Sequence, residues 1–135
     1  MPTVQTTYLG QLRTEATHVA SGNSLITDAP VDNHGRGEAF SPTDLTSASL
    51  GSCMMTIMGI VAQRDGIDLS GTTFEVTKHM NPSPRRTAKI EVNFSVKSAQ
   101  TLTEAQQQKL RNAALTCPVA LSLHPEIEQV VEFSF

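Results

Sequence analysis

A strict alternation of apolar and polar residues extends from Ala88 to Lys97. The apolar positions of this stretch are Ile90, Val92, Phe94 and Val96, and the polar positions are Lys89, Glu91, Asn93 and Ser95. A period of two places the first set on one face of a strand and the second set on the other face. The pattern therefore predicts an antiparallel β-strand with one face in the core and one face in solvent.

Residues 3–28 also alternate and are rich in β-branched side chains. Turn signals at Leu9-Gly10-Gln11 and Ser21-Gly22-Asn23 divide them, which predicts a three-stranded antiparallel meander. Residues 29–40 follow as a Gly-rich polar loop, and its length favours a functional role. Further along the chain, the pattern predicts a short strand over Thr72–Lys78, a turn over Asn81–Pro84 and a closing strand over Gln129–Phe135.

An uncharged run of 14 residues, 48–61, is the most apolar part of the chain. Ser41 and Asp44 precede it at capping-box spacing, with Pro42 at the first helical position, so we predict a helix to about Arg64. This helix is apolar nearly all round, which is typical of a buried central helix. The run is also shorter than the roughly 20 apolar residues that a membrane span requires.

A second capping box, Thr103-Glu-Ala-Gln106, predicts a helix that extends to about Thr116. Pro118 disfavours the helical conformation at Cys117, and it can itself open a short helix over 119–123. Strands precede and separate the helices, so the predicted fold class is α+β, with one domain over residues 1–135.

Charge and composition exclude several classes of function. A net charge of −3 argues against a generic nucleic-acid surface, which would need a basic face. The four histidines fit no standard zinc spacing, so neither a metal nor a cofactor is expected. The first residues show no secretory signal pattern, which makes the cytoplasm the expected compartment and predicts no membrane partner.

Cys53 and Cys117 are the candidate chemical groups, and 64 positions separate them. In a reducing compartment such a pair indicates either buried packing or redox chemistry. Cys53 lies about three turns inside its helix, beyond the reach of the helix dipole, so an arginine would have to favour its thiolate. Arg13 and Arg36 are the plausible donors, whereas Cys117 would stand at a helix N-terminus.

Two segments of the chain resemble a known family. The segment 37–53 reads Gly-Glu-Ala-Phe-Ser-Pro-Thr-Asp-Leu-Thr-Ser-Ala-Ser-Leu-Gly-Ser-Cys, and Cys117-Pro118 follows later. Together they resemble the OsmC/Ohr family of osmotically inducible and organic-hydroperoxide-resistance proteins. The resemblance covers nearly the whole chain and implies an OsmC-like fold, with antiparallel sheets around the central helix, in an intertwined homodimer.

The resemblance also implies a cysteine-based peroxidase for organic hydroperoxides, with hydrogen peroxide as a poorer substrate. Cys53 would attack the peroxide and become a sulfenic acid, and Cys117 would condense with it to form a disulfide. A dithiol reductant, of the lipoyl type carried by a lipoylated protein, would then reset the pair. An arginine held by a carboxylate would stabilise the reactive thiolate.

The identity of that carboxylate stays open at the level of sequence. Ohr-type members place glutamate directly after the proline that starts the helix, where this chain has Thr43. Asp44 stands one residue later and suits a helix cap, while Glu38 in the preceding loop is the alternative acid. This displacement motivates a second hypothesis, a small-molecule-binding or thiol-sensing module without efficient turnover. A hydrolase-like use of Cys53 as a nucleophile is a third.

Overall fold

The protein is described by a computed structural model that covers residues 1–135. Its contacts divide the chain into two compact units, Met1–Thr46 and Ser47–Phe135. Mixed strands and helices confirm the predicted α+β class. The organisation as a single domain over 1–135 stays a prediction.

The first unit is built on a three-stranded antiparallel sheet, which confirms the predicted meander. Its strands are β1 (Val4–Gly10), β2 (Arg13–His18) and β3 (Ser24–Asp28), in the order β1-β2-β3. The turn between β1 and β2 places Gln11 and Leu12 at φ values of 54° and 64°. A tight two-residue hairpin requires positive φ at both central positions. Glycine adopts this conformation most easily, but here Gln11 and Leu12 adopt it.

The loop of residues 29–40 folds tightly back on itself. Gly35 donates a backbone hydrogen bond to the carbonyl of Pro30, and Gly37 donates one to the carbonyl of Ala29. A β-carbon at Gly35 would lie only 1.7 Å from the carbonyl oxygen of Ala29, so this close approach of two backbone segments requires glycine.

Helix α1 (Pro42–Arg64) begins where the capping box predicts. The Ser41 N–H donates to Asp44 Oδ2 at 3.0 Å, and the Asp44 N–H donates to Ser41 Oγ at 3.1 Å. Each residue thereby satisfies a backbone donor that the first helical turn leaves without a partner.

Helix α1 is the long central helix that the sequence predicts, but one of its faces is exposed in this chain. One face is buried, through residues that include Leu50, Met54 and Met58, whereas Ile60 on another face is 42% exposed. A single sheet covers only one side of a helix, so the remaining apolar side needs a second layer to be buried. By length and composition α1 could also cross a membrane, but its buried face packs among protein side chains as a core helix does.

The second unit packs α1 against a three-stranded sheet and two further helices. These elements are β4 (Thr73–Pro82), β5 (Arg85–Ser95), α2 (Glu104–Leu115), α3 (Pro118–Ser122) and β6 (Glu128–Ser134). The close packing of α1 on β4 depends on Gly51, where a β-carbon would approach the Phe74 ring to 2.8 Å. The inward side chains Ile90, Val92 and Phe94 of β5 are buried, as the alternation predicts.

The second sheet is mixed, which corrects the prediction of antiparallel sheets. β4 and β5 are antiparallel, but β6 runs parallel to β5, with Phe94 opposite Phe133 and their rings stacked 5.3 Å apart. Between β5 and β6 the chain passes through α2 and α3. A crossover of this kind returns the chain to the starting end of the sheet, so the next strand enters in the same direction.

Candidate active site

Cys53 lies on α1 at the edge of the hydrophobic core of the second unit. Its side chain is half-buried and packs against the core cluster that contains Leu50 and Met54. The helix places this thiol at the boundary between a buried face and an exposed one, since Ser52 and Thr56 beside it are exposed. The Cys53 thiol is therefore partly accessible to solvent.

Cys117 occupies a different environment, at the start of α3. Its thiol is completely buried, and it serves as the N-cap of α3, where Sγ accepts a hydrogen bond from the Ala120 N–H at 3.4 Å. Pro118 at the first helical position explains why the helix starts here, because proline's fixed φ suits that position and disfavours helix at the residue before it. The sequence-based placement of Cys117 at a helix start is confirmed.

The fold brings the two thiols together. Burial is the main reason why the pKa of Cys117 lies above its ordinary value. The Ala120 N–H opposes this shift, while a hydrogen bond with Cys53 and the negative charge that Cys53 can carry add to it. Cys117 therefore stays a protonated thiol beside Cys53, and both cysteines are free.

Arg13 forms a close ion pair in the first unit, and its partner is Asp28. Nε of Arg13 lies 2.7 Å from Asp28 Oδ1, and Nη2 donates to Asp28 Oδ2 at 2.8 Å. The Asp28 side chain is fully buried and that of Arg13 is 20% exposed. The hydrogen bonds from Arg13 hold the pKa of Asp28 below its usual value, and the same contacts raise the pKa of Arg13.

Neither of the two acids predicted as candidate partners of the arginine forms the close contact that Asp28 forms with Arg13. Glu38 Oε1 lies 3.8 Å from Nη2 of Arg13, and its side chain is 64% exposed. Asp44 closes the capping box of α1 with Ser41. Of the two arginines considered, Arg36 donates to the side-chain oxygen of Gln11, whereas Arg13 binds the buried carboxylate.

Asp28 was missed by the sequence analysis, although the predicted meander contains the signal for it. A hairpin that turns at Ser21-Gly22-Asn23 pairs Thr17 with Ser24, and each step back along β2 is then a step forward along β3. Four steps from that pair, Arg13 stands opposite Asp28. Opposite charges at a cross-strand pair attract one another, so extending the register of the turn would have identified the partner.

The Arg13–Asp28 pair predicts a specific pH dependence of stability. Because the pKa of Asp28 is lower in the folded state, the pair stabilises the fold above the ordinary carboxyl pKa of about 4. That contribution is lost as the pH falls through the lowered folded-state pKa. Between about pH 5 and pH 2, we expect the urea midpoint of the wild type to fall more steeply than that of Asp28→Asn. Circular dichroism measures both midpoints, and two parallel curves would contradict the assignment.

Comparison with known proteins shows which family the chain resembles. The sequence model of the OsmC-like protein family matches residues 35–132. A structure from Psychrobacter arcticus 273-4, described as an osmotic stress induced and detoxification response protein, is 52% identical. Its alignment covers 99% of this chain and 96% of that one, with a TM-score of 0.94. No curated protein matches the sequence.

Two organic hydroperoxide resistance proteins share the fold at low identity. The one from Legionella pneumophila is 18% identical, with 100% and 98% of the two chains covered and a TM-score of 0.72. The one from Elizabethkingia anophelis is 16% identical, with 99% and 96% covered and a TM-score of 0.73. The family match spans most of the chain, and it confirms the resemblance noted in the sequence. The chain belongs to the OsmC-like protein family.

Proposed function

We propose that this protein is a cysteine-based thiol peroxidase that reduces organic hydroperoxides. The observation that carries the proposal is the contact between the half-exposed Cys53 thiol and the buried Cys117 thiol. One thiol is accessible to a peroxide, and the second stands ready to react with the oxidised product of the first. A packing role alone would not call for a thiol at both positions.

The proposed reaction has three steps. The Cys53 thiolate attacks the terminal oxygen of the hydroperoxide and the O–O bond breaks, so that sulfur is oxidised to sulfenic acid and an alcohol leaves after taking up a proton. The Cys117 thiol then displaces the hydroxyl group from Cys53 as water, which forms the disulfide. A dithiol reductant reopens the disulfide by two exchange steps, which return both protein thiols, and leaves as its own cyclic disulfide.

The different surroundings of the two thiols support this assignment of roles. Cys117 is buried and its raised pKa keeps the proton on sulfur, so it makes a poor first nucleophile towards peroxide. A protonated thiol in contact with Cys53 can instead supply the proton that the departing hydroxyl group needs. Cys53 is the more exposed of the two and takes the nucleophilic role.

Arg13 is the proposed cation that favours the Cys53 thiolate. The helix dipole does not reach a position so far along α1, and a cation near a thiol is the other usual means of activating it. Arg13 is fixed by a buried carboxylate yet remains partly exposed, which suits a group that must present charge to a reactant. Arg36 and the acids Glu38 and Asp44 are assigned no direct part in this reaction.

Organic hydroperoxides are the proposed substrates, with hydrogen peroxide as a poorer one. Cys53 packs on one side against the apolar core, and two structural relatives are named for resistance to organic hydroperoxides. We expect kcat/KM for cumene hydroperoxide to exceed that for hydrogen peroxide by about tenfold or more, since a hydrophobic contact discriminates by about that factor. A peroxide-consumption assay with dihydrolipoamide as reductant measures both values. The dithiol also provides the reducing conditions expected at the proposed cytoplasmic location. If the protein consumes peroxide no faster than a control that contains the reductant without protein, the proposed activity is refuted.

We also propose that the protein acts as a homodimer. Ile60 on α1 is apolar and exposed, and Val4, Tyr8 and Leu25 of the first unit are exposed as well. Val4 and Leu25 also line an apolar groove of about 500 Å³ on the sheet of that unit. A second copy would cover such surfaces, which isolated proteins rarely leave open. Light scattering should give twice the 14.5 kDa mass of one chain, and a monomer at micromolar concentration would contradict the proposal.

A thiol-sensing or small-molecule-binding role without efficient turnover is the second candidate. The observation that favours it is the capping role of Asp44, which leaves the start of α1 without the acid found in Ohr-type members. A sensor would form the disulfide once and would be reset slowly. Sustained turnover in the dithiol assay separates the two functions, because only a peroxidase consumes many equivalents of peroxide per chain.

A further inference from the structure

We propose that Asp28 is the positioning residue for Arg13 in the peroxidase reaction, and that it replaces the acid that Ohr-type members place at the start of the helix. The inference rests on the proposed role of Arg13. Asp28, a residue of β3, is then the carboxylate that holds the arginine, a role for which the sequence alone offered Glu38 and Asp44.

The geometry of the pair fixes how Arg13 can present its charge. Asp28 accepts from Nε and from Nη2, so its carboxylate occupies one edge of the planar guanidinium group in a bidentate contact. Of the five N–H donors of the group, two point at Asp28. The Nη1 amino group and the second Nη2–H point away from this edge, where they can meet a thiolate or a peroxide oxygen.

Asp28 is itself held on several sides. The Glu38 N–H donates to Asp28 Oδ2 at 3.1 Å, and the backbone N–H of Asp28 donates to the Phe40 carbonyl at 3.0 Å. Loop 29–40 thus closes over the carboxylate and removes it from water. A buried carboxylate that lost its cation would be strongly destabilised, so Arg13 has little freedom to leave it.

The backbone of Arg13 is fixed as well. The residue directly follows the turn with positive φ at Gln11 and Leu12. The Ala29 N–H donates to the Leu12 carbonyl at 3.1 Å, and Arg36 donates to the side chain of Gln11. Backbone held in sparsely populated conformations persists where its surroundings impose it, and such sites often serve function. Side chain and backbone of Arg13 are therefore both anchored by the segment that begins at Asp28.

Neither alternative acid offers comparable anchoring. The contact of Glu38 with Arg13 is 3.8 Å long, and the exposed Glu38 side chain is screened by water. Asp44 is committed to the first turn of α1. Loss of Glu38 should therefore affect Arg13 much less than loss of Asp28.

The test compares kcat/KM for cumene hydroperoxide in four variants. We expect Asp28→Asn to lower kcat/KM by about 10- to 100-fold, since small displacements of a catalytic group cost that much. Glu38→Gln should cost less than about threefold. Asp65→Asn is the matched control, because it removes a carboxylate from an ion pair with Lys109 at 2.9 Å and should leave activity within about twofold. Arg13→Lys keeps a charge but removes the fork that Asp28 binds, and should lose activity like Asp28→Asn.

Two further readouts separate positioning from a general structural role. Asp28→Asn should add little loss in the Arg13→Lys background, because residues that act through one another are not additive. The rate at which iodoacetamide alkylates Cys53 at pH 7 should fall in parallel with kcat/KM. Additive losses, or unchanged alkylation in an Asp28→Asn protein with reduced turnover, would overturn the inference.

The outcomes distinguish this inference from the proposed function. A wild-type protein without turnover refutes both. An active wild type, an impaired Arg13→Lys variant and a fully active Asp28→Asn variant refute the inference alone, as does a Glu38→Gln loss equal to that of Asp28→Asn. If Asp28→Asn fails to fold, Asp28→Glu provides the test instead. This variant keeps the negative charge but shifts the guanidinium group by the length of one methylene, so we expect kcat/KM to fall by about threefold or more. Wild-type kcat/KM in Asp28→Glu would overturn the inference.

Discussion

Replacement of Cys53 by serine is expected to abolish the reduction of organic hydroperoxides, with a loss in kcat of at least about 1000-fold. A serine hydroxyl cannot form the sulfenic acid, because oxygen does not accept the peroxide oxygen as sulfur does. Neither Cys117 nor another thiol can take over, since Cys117 is completely buried and is the only other cysteine in the chain. The measurement is dithiol-dependent consumption of cumene hydroperoxide at saturating reductant.

The substitution should leave the fold intact, which makes its effect interpretable. Serine is slightly smaller than cysteine and has a similar helix propensity, so the substitution costs α1 little. Matching circular dichroism spectra and thermal midpoints of the two proteins therefore serve as the control. Turnover by a folded Cys53→Ser protein at the wild-type rate would remove Cys53 from the mechanism and refute the peroxidase proposal.

Cys117→Ser carries the second largest expected effect, and its pattern differs. The first turnover should survive, because Cys53 still reacts with peroxide, but steady-state turnover with a dithiol should fall by about 100-fold or more. Without a resolving thiol the sulfenic acid persists and is oxidised further to sulfinic acid by excess peroxide. Rapid-quench kinetics should therefore show a burst of one alcohol per chain, followed by little further product.

Serine at this position also tests the structural role of Cys117 separately. Serine is a preferred N-cap residue, so its Oγ can accept the Ala120 hydrogen bond that Sγ accepts at present. Helix α3 should start at the same place and the variant should fold. If steady-state turnover stays at the wild-type level while the fold is retained, Cys117 is not the resolving thiol.

The local elements could be predicted from sequence because their signals are local. The alternation in β5 predicts its buried face, and the two capping boxes predict the starts of α1 and α2, which the structure confirms. The parallel direction of β6 could not be derived in the same way. It depends on the path that α2 and α3 take across the sheet, and no pattern within β6 itself reports that path.

The candidate site shows the same division between local and non-local information. Cys53 and Cys117 could be singled out by their motifs, but only the fold shows that two thiols 64 positions apart in the chain come into contact. The partner of Arg13 depends on strand register, so a search for acids close to the helix start favoured Glu38 and Asp44 over Asp28. The partial exposure of α1 likewise depends on how many layers cover it, which its own composition does not reveal.

The most direct test of the central proposal is the fate of the two thiols after one equivalent of cumene hydroperoxide. The proposed reaction predicts one cumyl alcohol per chain and the loss of both free thiols. Peptide mass spectrometry without reductant should then show Cys53 linked to Cys117 within the same chain. Two free thiols after exposure to peroxide, or an oxidised Cys53 that never pairs with Cys117, would contradict the proposed mechanism.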